Sequence, residues 1–453
     1  MEVECIPVSE DDARFIVYRP LARLAFIGNL PMAELAVAAA RGQTGTDRDG
    51  AVGFLRSIGF LDPDPEAPPP AAGDFKPTTA VLLLTNQCQL RCTYCYASAG
   101  EMPRQQLSVA LGRAVIDHVL DWARASGKPK FEVSFHGGGE PTLAWSTLTA
   151  CTTYARQQPI PAHITLTSNG IWSRRQCSWV VDNIDRLSLS IDGDPETQDG
   201  QRPFASGRGS SALAMRTVEE LDRHAFRYGI RMTATAPWTR LREQVRFLCE
   251  QTGCQSIQVE PAFNAARGGH GEPTTADGRA YADAFLEAYD LADRAGRKLY
   301  YSGARLGVVT SAFCTAPFDA LVVNALGDLV TCYEIAGVSH PLYRLSVMGR
   351  VDGGTVVVDT DARDHLHALM EARRESCRDC YCHWSCAGDC YTRTFGPGPE
   401  GHLKHGVRCA INRQITRQLL LRAIAAGGGV WRGSHQLAAG GDGTAGAAVE
   451  MRP

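Results

Sequence analysis

The sequence predicts an α/β fold, because segments of β-strand character alternate with helical segments through its central half. The strand-like segments are 79–85, 130–136, 163–168, 186–191, 230–236 and 256–262. An apolar periodicity typical of a helix separates them, as in SVALGRAVIDHVLDWARA. Such a succession predicts a parallel sheet with helical crossovers. The periodicity alone leaves open whether the sheet is doubly wound or an incomplete barrel.

The 453 residues are enough for two or three domains. The predicted ranges are 1–62 for a small α/β module, 63–78 for a proline-rich linker, 79–300 for the central domain, 301–425 for a cysteine-rich domain and 426–453 for a disordered tail. A hairpin is expected around Gly327, and an amphipathic helix over 407–425. The Gly/Ala-rich tail has too little apolar content to stay ordered.

Composition gives no indication of a nucleic-acid or membrane partner. The chain has 46 Lys+Arg, 49 Asp+Glu and a formal charge of -3, without long runs of one sign, so neither nucleic acid nor an anionic membrane is expected to bind it. The N-terminal stretch has no signal-peptide pattern, and no apolar run reaches the roughly 18–20 residues of a membrane helix. We expect a cytoplasmic protein. Its 16 cysteines then predict metal binding rather than disulfides.

Three cysteines follow the first predicted strand directly, in CQLRCTYC: Cys88, Cys92 and Cys95. That position is the carboxyl end of a parallel sheet, where ligands gather. An iron–sulfur cluster is normally held by four thiolates, so three leave one iron with an exchangeable position. A fortuitous triplet or part of a zinc site is the alternative.

The CxxxCxxC pattern after a strand resembles the signature of the radical S-adenosylmethionine (SAM) superfamily. The resemblance implies a partial (β/α)6 TIM-like barrel and a [4Fe-4S] cluster whose fourth iron is chelated by the amino and carboxylate groups of SAM. It also implies that an electron from an external flavodoxin- or ferredoxin-type donor splits SAM into methionine and a 5′-deoxyadenosyl radical, which removes a hydrogen atom from the substrate.

The same resemblance implies a set of cofactor-binding residues at the ends of the next strands. They are Tyr94, then Gly138, Gly139 and Glu140 in HGGGEPT, Asn169 in TSNG, Ser190 in SIDG, and Arg202 or Arg208 in RPFASGRGS. Glu140 is expected to receive the cofactor's ammonium, and the arginine its carboxylate. Turn-forming or capping roles are the alternative at Asn169 and Ser190.

The C-terminal cysteines are spaced as in the SPASM extension of that superfamily, which implies two auxiliary iron–sulfur clusters. By resemblance, Cys377, Cys380, Cys386 and Cys409 form an outer group, and Cys314, Cys332 and Cys390 form an inner group. The inner group is one ligand short, because Ala320 stands where some relatives have a cysteine. Its open iron is expected to bind a substrate group or the spare Cys382. A zinc ribbon of Cys377, Cys380, Cys386 and Cys390 is the alternative.

The N-terminal module resembles the winged-helix peptide-recognition element of peptide-modifying enzymes, with a structural lid as the alternative.

The resemblances together imply a maturase that modifies a ribosomally made precursor peptide, for example by a C–C or thioether cross-link. A formylglycine-generating sulfatase-maturing enzyme is the first alternative, and a non-catalytic, zinc-stapled binding module is the second. The sequence identifies no acid, base or hydrogen donor. Cys5, Cys151, Cys177, Cys249 and Cys254 are expected to be buried apolar residues.

Overall fold

A small antiparallel sheet with two helices forms the N-terminal module. The structure, a computed structural model, describes residues 1–43, 50–71, 73–263, 267, 274–395 and 406–433. The module contains β1 (Glu4–Pro7), β2 (Arg14–Arg19), β3 (Leu24–Asn29), α1 (Leu30–Ala40) and α2 (Ala51–Ser57). Asn29 caps α1, since its side chain accepts a hydrogen bond from the Met32 N–H at 3.1 Å.

The central sheet is built from parallel strands in chain order. They are β4 (Thr79–Leu82), β5 (Phe131–Phe135), β6 (Ala162–Ser168), β7 (Arg186–Ser190), β8 (Tyr228–Ala234), β9 (Ser256–Pro261) and β10 (Lys298–Tyr300). A doubly wound sheet reverses its strand order at a switch point, and this one does not. The predicted partial barrel is therefore confirmed, with β10 as a strand that the sequence pattern did not indicate.

Helices cross over between the parallel strands and cover the outside of the barrel. They are α3 (Val109–Ala125), α4 (Trp145–Arg156), α5 (Arg174–Asn183), α6 (Pro195–Gln201), α7 (Ser211–Arg223), α8 (Leu241–Gln251) and α9 (Thr275–Arg294). In α3, Val115, Ile116 and Val119 recur at helical spacing and are fully buried against the sheet. None of the described helices is long and apolar enough to cross a membrane.

The C-terminal region extends the central sheet. Its elements are α10 (Ala316–Asp319), β11 (Ala320–Val323), β12 (Asp328–Val330), α11 (Tyr343–Ser346), β13 (Val347–Asp352), β14 (Thr355–Val358), α12 (Thr360–Glu375), α13 (His383–Cys386), α14 (Tyr391–Thr394), α15 (Val407–Ala426) and β15 (Val430–Arg432). Strand β11 pairs in parallel with β4. The predicted hairpin is present between β11 and β12, where Gly327 has a φ of 89°.

The last described residues complete the N-terminal sheet, whose order is β1-β2-β3-β15. Trp431 in β15 is opposite Ala25 in β3, is 3% exposed, and packs on Tyr18 with 6.2 Å between ring centroids. The prediction of a disordered tail is wrong for 426–433, because a single buried tryptophan and strand pairing order a segment of low apolar content. Residues 434–453 of that tail lie outside the described residues.

We expect Trp431→Ala to destabilise the N-terminal module by about 3–5 kcal/mol, because it removes a buried aromatic side chain that joins β15 to β2 and α15. Hydrogen exchange of the β2 and β3 amides would measure the loss. Val338→Ala is the control, since Val338 is 73% exposed and its truncation should cost under about 0.5 kcal/mol. Equal exchange in the two variants would contradict the assigned role of β15.

Candidate active site

The three-cysteine loop leaves β4 and lies at the carboxyl end of the central sheet. Cys88, Cys92 and Cys95 are half-buried. The Cys88 sulfur accepts a hydrogen bond from the Leu90 N–H at 3.4 Å and another from Asn169 Nδ2 at 3.7 Å. Burial raises the pKa of Cys88 to about 12, so this thiol needs a metal to become a thiolate at neutral pH. A loop of cysteines that receive N–H donors fits an iron–sulfur cluster.

The glycine turn after β5 packs directly on that loop. Gly139 donates its N–H to the Thr85 carbonyl at 2.7 Å, and Glu140 donates its N–H to the Gln87 carbonyl at 2.8 Å. A Cβ at Gly139 would lie 2.1 Å from the Gln87 carbonyl oxygen, which no side chain tolerates. Gly138 has a φ of 69°, in the left-handed region. The glycines therefore let two backbones approach closely.

The carboxylate of Glu140 joins this turn to the end of β6. Oε1 accepts hydrogen bonds from the Thr142 N–H at 3.1 Å, the Thr142 hydroxyl at 2.7 Å and the Ser168 hydroxyl at 2.7 Å, and Oε2 accepts one from the Asn169 N–H at 2.8 Å. Burial raises the pKa of Glu140 although these donors lower it. Oε2 has capacity for one further donor, such as the predicted ammonium.

Arg202 is held by a buried carboxylate that the sequence did not single out. Its Nε and Nη2 donate to Asp192 at 2.9 and 3.0 Å, and Asp192 is fully buried. Tyr94 also donates its hydroxyl to Asp192, and the Arg202 guanidinium lies 5.3 Å from the Tyr94 ring centroid. Arg202 Nη1 points to the Cys92 sulfur at 3.9 Å. Arg202 thus faces the cysteine loop, while two of its guanidinium nitrogens, Nε and Nη2, already donate to the Asp192 carboxylate.

The two remaining residues that were predicted to bind the cofactor, Ser190 and Arg208, lie in different surroundings. Ser190 is the last residue of β7 and is half-buried, two positions before Asp192. Arg208 is exposed and its guanidinium lies 4.8 Å from the Phe204 ring centroid, so of these two arginines it is Arg202 that faces the cysteine loop.

A band of polar side chains lies between the three-cysteine loop and the C-terminal cysteines. Burial raises the pKa of Tyr96, and the charges of Glu334, Cys95, Arg231 and Cys332 all act on it. Arg231 Nη1 is 2.9 Å from His136 Nε2. Burial and the Arg231 charge lower the pKa of His136 to about 3, so the imidazole is neutral and accepts this hydrogen bond. The band places a cation and a phenol beside both cysteine sites.

The thiols of the inner group lie close to one another. Burial raises the pKa of the Cys332 thiol, and the neighbouring thiols of Cys390 and Cys314 raise it further. Cys332 Sγ accepts from the Glu334 N–H at 3.4 Å, and Cys390 Sγ is 3.1 Å from the Thr392 hydroxyl. The nearness of Cys390 to Cys332 and Cys314 favours this group over a zinc ribbon with Cys377, Cys380 and Cys386.

The outer group lies between the loop before α13 and the start of α15. Burial raises the pKa of Cys377, and the thiols of Cys409 and Cys380 add to the rise. Arg373 Nη2 donates to Cys409 Sγ at 3.2 Å, and Asn412 Nδ2 donates to Cys386 Sγ at 3.5 Å. Donors to sulfur of this kind tune iron–sulfur clusters.

Cys382, which the sequence offers as one way to fill the inner cluster's open position, lies beside the outer group. It is 2% exposed, and its thiol hydrogen-bonds to Cys380, which lowers the pKa of Cys380. The Cys386 N–H donates to the Cys382 carbonyl at 2.7 Å, so the two residues lie on one turn. Of the cysteines outside the motifs, Cys151, Cys177, Cys249 and Cys254 are buried as predicted, whereas Cys5 is half-buried.

Within the described ranges, no three histidine, cysteine, aspartate or glutamate side chains converge on a point that could hold a single metal ion. A four-iron cluster has a different requirement, because each thiolate binds a separate iron.

The central domain matches a known family. Residues 82–239 match the model of the Radical SAM superfamily. This match supports a radical SAM enzyme, and that superfamily uses SAM and a [4Fe-4S] cluster. The cysteine-bearing C-terminal region is consistent with the SPASM type, whose members carry auxiliary iron–sulfur clusters. An enzyme is therefore favoured over the non-catalytic binding module.

Curated relatives have diverse activities. The chain is 22% identical over 329 residues to the serine-type anaerobic sulfatase-maturating enzyme of Klebsiella pneumoniae, covering 67% of this chain and 78% of the relative. It is 24% identical over 306 residues to the pre-heme d1 synthase of Dinoroseobacter shibae, covering 67% and 70%. With the Fe-coproporphyrin III synthase of Methanosarcina barkeri it shares 29% over 163 residues, 35% of this chain and only 37% of that relative.

Solved structures share the fold. A histidine-tagged form of anSMEcpe with bound AdoMet has a TM-score of 0.63 at 16% identity, covering 78% of this chain and 96% of that one. Native anSMEcpe with AdoMet and the Kp18Cys peptide has a TM-score of 0.62 at 17% identity, covering 78% and 99%. Streptococcus suis SuiB bound to the precursor peptide SuiA has a TM-score of 0.51 at 16% identity, covering 89% and 99%.

Sequence reasoning missed Asp192, Ser168 and the polar band around Arg231. Asp192 stands inside the SIDG motif, and its signal is a carboxylate directly after a buried strand with an arginine ten residues later. No comparable spacing indicates Arg231 or Ser168, whose partners come from other strands.

We expect Asp192→Asn to lower the free energy of unfolding by about 3–5 kcal/mol, because it leaves the buried Arg202 charge without its partner. Thermal and chemical unfolding would measure this. Asp194→Asn, two residues on, is the matched control, since Asp194 caps α6 and asparagine caps as well, so its cost should stay under about 1 kcal/mol. Similar losses in both variants would contradict a central role for the Asp192–Arg202 pair.

Proposed function

We propose that this radical SAM enzyme is a maturase that removes a hydrogen atom from a ribosomally made peptide and installs a cross-link or related modification. The observation that carries the proposal is the fold match over 78% of this chain to anSMEcpe and over 89% to SuiB, both solved with bound peptides. We also propose a cytoplasmic location and a flavodoxin- or ferredoxin-type electron donor, since the cofactors need reduced thiols and an electron.

The site supplies groups that suit this reaction. When bound, the cluster and SAM supply a 5′-deoxyadenosyl radical. Glu140 and Asn169 bind the amino acid part of the cofactor in this proposal, and Tyr94 with Arg202 orients the loop that carries Cys92. The band around Tyr96 and Arg231 offers hydrogen bonds to a substrate backbone or carboxylate.

The N-terminal sheet is a proposed contact for the leader of such a peptide. Strand addition to a sheet edge is a common way to bind an extended segment. The order β1-β2-β3-β15 leaves β1 and β15 as the two outer strands, and we propose the longer β1 for this contact.

The second candidate function is sulfatase maturation. Its support is the similarity to the Klebsiella pneumoniae enzyme over 67% of this chain. Here the substrate would be an unfolded segment of a sulfatase, with oxidation of one residue to formylglycine. The tetrapyrrole enzymes among the relatives mean that identity at this level does not select a substrate.

We expect the full-length protein, reconstituted anaerobically, to hold about twelve irons if all three sites carry four-iron clusters. Replacing Cys88, Cys92 and Cys95 by alanine should lower this to about eight and abolish 5′-deoxyadenosine formation from SAM and dithionite, because no iron is left to bind the cofactor. Cys177→Ala is the control, since Cys177 is buried outside the cysteine groups and both values should stay unchanged. Continued 5′-deoxyadenosine release by the triple variant would refute a radical SAM mechanism at this loop.

Mass spectrometry of candidate substrates would distinguish the two functions. We expect a short peptide encoded beside the gene to lose a pair of hydrogen atoms on incubation with the reconstituted protein, SAM and dithionite, as a cross-link requires. A serine- or cysteine-containing sulfatase segment is the parallel substrate. Its conversion to formylglycine, with the neighbouring peptide unchanged, would overturn the first candidate in favour of the second. The triple cysteine variant, which lacks the first cluster, serves as the blank.

A further inference from the structure

The inner group lacks a fourth thiolate, and the described structure favours neither of the two cysteine-based solutions. Ala320 occupies the position where a fourth cysteine is expected, and it is buried in β11. Cys382 is engaged by the outer group through Cys380 and Cys386. Whatever completes the inner site must therefore be a side chain other than cysteine, or a molecule from outside.

Glu334 is a carboxylate built into this group. Its own N–H donates to Cys332 Sγ at 3.4 Å. The Thr392 hydroxyl is 3.1 Å from Cys390 Sγ and 3.2 Å from Glu334 Oε2, so one hydroxyl joins the carboxylate to a second cysteine of the group. Through these two contacts, Glu334 lies beside Cys332 and Cys390.

One oxygen of this carboxylate is paired by charge alone. The Glu334 side chain is 12% exposed, and Oε1 lies 2.8 Å from Arg393 Nη2 in an ion pair. That contact lacks hydrogen-bond alignment, and Oε1 receives no hydrogen bond from the part of the chain that the structure describes. Since each carboxylate oxygen has two lone pairs, Oε1 keeps the capacity to bind a metal beside the arginine.

The negative charges of the thiolates and of Glu334 also indicate that this group holds iron. Thiolates and a carboxylate in one buried group repel one another, and Arg393 compensates only one negative charge. Iron supplies positive charge at this point, because a cluster binds its ligands as anions. A carboxylate placed among cysteines is therefore understandable where the cysteines hold iron.

We propose that Glu334 is the fourth protein ligand of the inner auxiliary cluster, completing the set of Cys314, Cys332 and Cys390. Oxygen ligands from carboxylates bind iron in proteins, and replacement of a thiolate changes the potential of a cluster. The inner cluster is then closed to substrate and serves to transfer electrons. This inference extends the proposed function without depending on which substrate is modified.

The test uses the full-length protein with Cys88, Cys92 and Cys95 replaced by alanine, so that only the auxiliary clusters remain. We expect about eight irons in this background. Adding Glu334→Gln should lower the count to about seven and produce a three-iron electron paramagnetic resonance (EPR) signal in the oxidised state. Glu334→Cys should restore about eight irons with a shifted reduction potential, because a thiolate replaces the carboxylate.

Two controls make the result specific. Glu371→Gln removes a carboxylate of the same region that pairs with Arg374, and should leave the irons and spectra unchanged. Added 2-mercaptoethanol should alter the reduced spectrum of the Glu334→Gln protein after it is reloaded with iron, and not that of the parent. An equal response in the parent would mean an open iron and overturn the proposal. Loss of the whole inner cluster in both the glutamine and cysteine variants would assign Glu334 a structural role and overturn it equally.

Discussion

The position of the three-cysteine loop depends on two buried carboxylates that come from neighbouring strands. Glu140 accepts donors from the end of β6 while its backbone is bonded to the cysteine loop. Asp192, at the end of β7, holds Arg202 and Tyr94 and also accepts the Thr233 N–H of β8 at 2.9 Å. Both are fixed by strand ends rather than by mobile loops, so the barrel itself sets where the cluster cysteines lie. Buried charges that are fully hydrogen-bonded specify one geometry.

The cysteines of the three-cysteine loop and of the C-terminal groups could be predicted from the sequence, because the spacing of residues along the chain is a local property. The same holds for the glycine turn and for the central strands, whose β-rich segments alternate along the chain with helical ones. The Asp192–Arg202 pair could not be predicted in the same way, since it is satisfied by Gln201, Tyr94 and Thr233 from separate elements. Strand β15 was missed for a related reason: it is ordered by contacts with β3, which is distant in sequence.

The position of Cys382 shows that spacing alone does not predict which group a cysteine joins within a cysteine-rich segment. From sequence it is one of several thiols in a run, free to join either group. In the structure, the short helix α13 turns Cys382 and Cys386 toward Asn412 of α15, whose carbonyl lies 3.9 Å from the Cys382 sulfur and whose side chain contacts Cys386. The packing of α13 against α15 thus places Cys382 beside the outer group. The same packing makes Cys382 a less simple choice for the missing fourth ligand of the inner group.

The glycine turn has a second consequence beyond its approach to the cysteine loop. A Cβ at Gly137 would meet the Tyr333 carbonyl oxygen at 2.5 Å, and one at Gly138 would lie 2.8 Å from the Thr85 carbonyl oxygen and 3.5 Å from Ala336 Cβ. The glycine turn therefore packs between the three-cysteine loop on one side and the segment that follows Cys332 on the other. Any side chain here would push the two cysteine sites apart, so the glycines set their separation. Because electron transfer and substrate placement both depend on that separation, the need for small residues at this turn follows from the packing as well as from cofactor access.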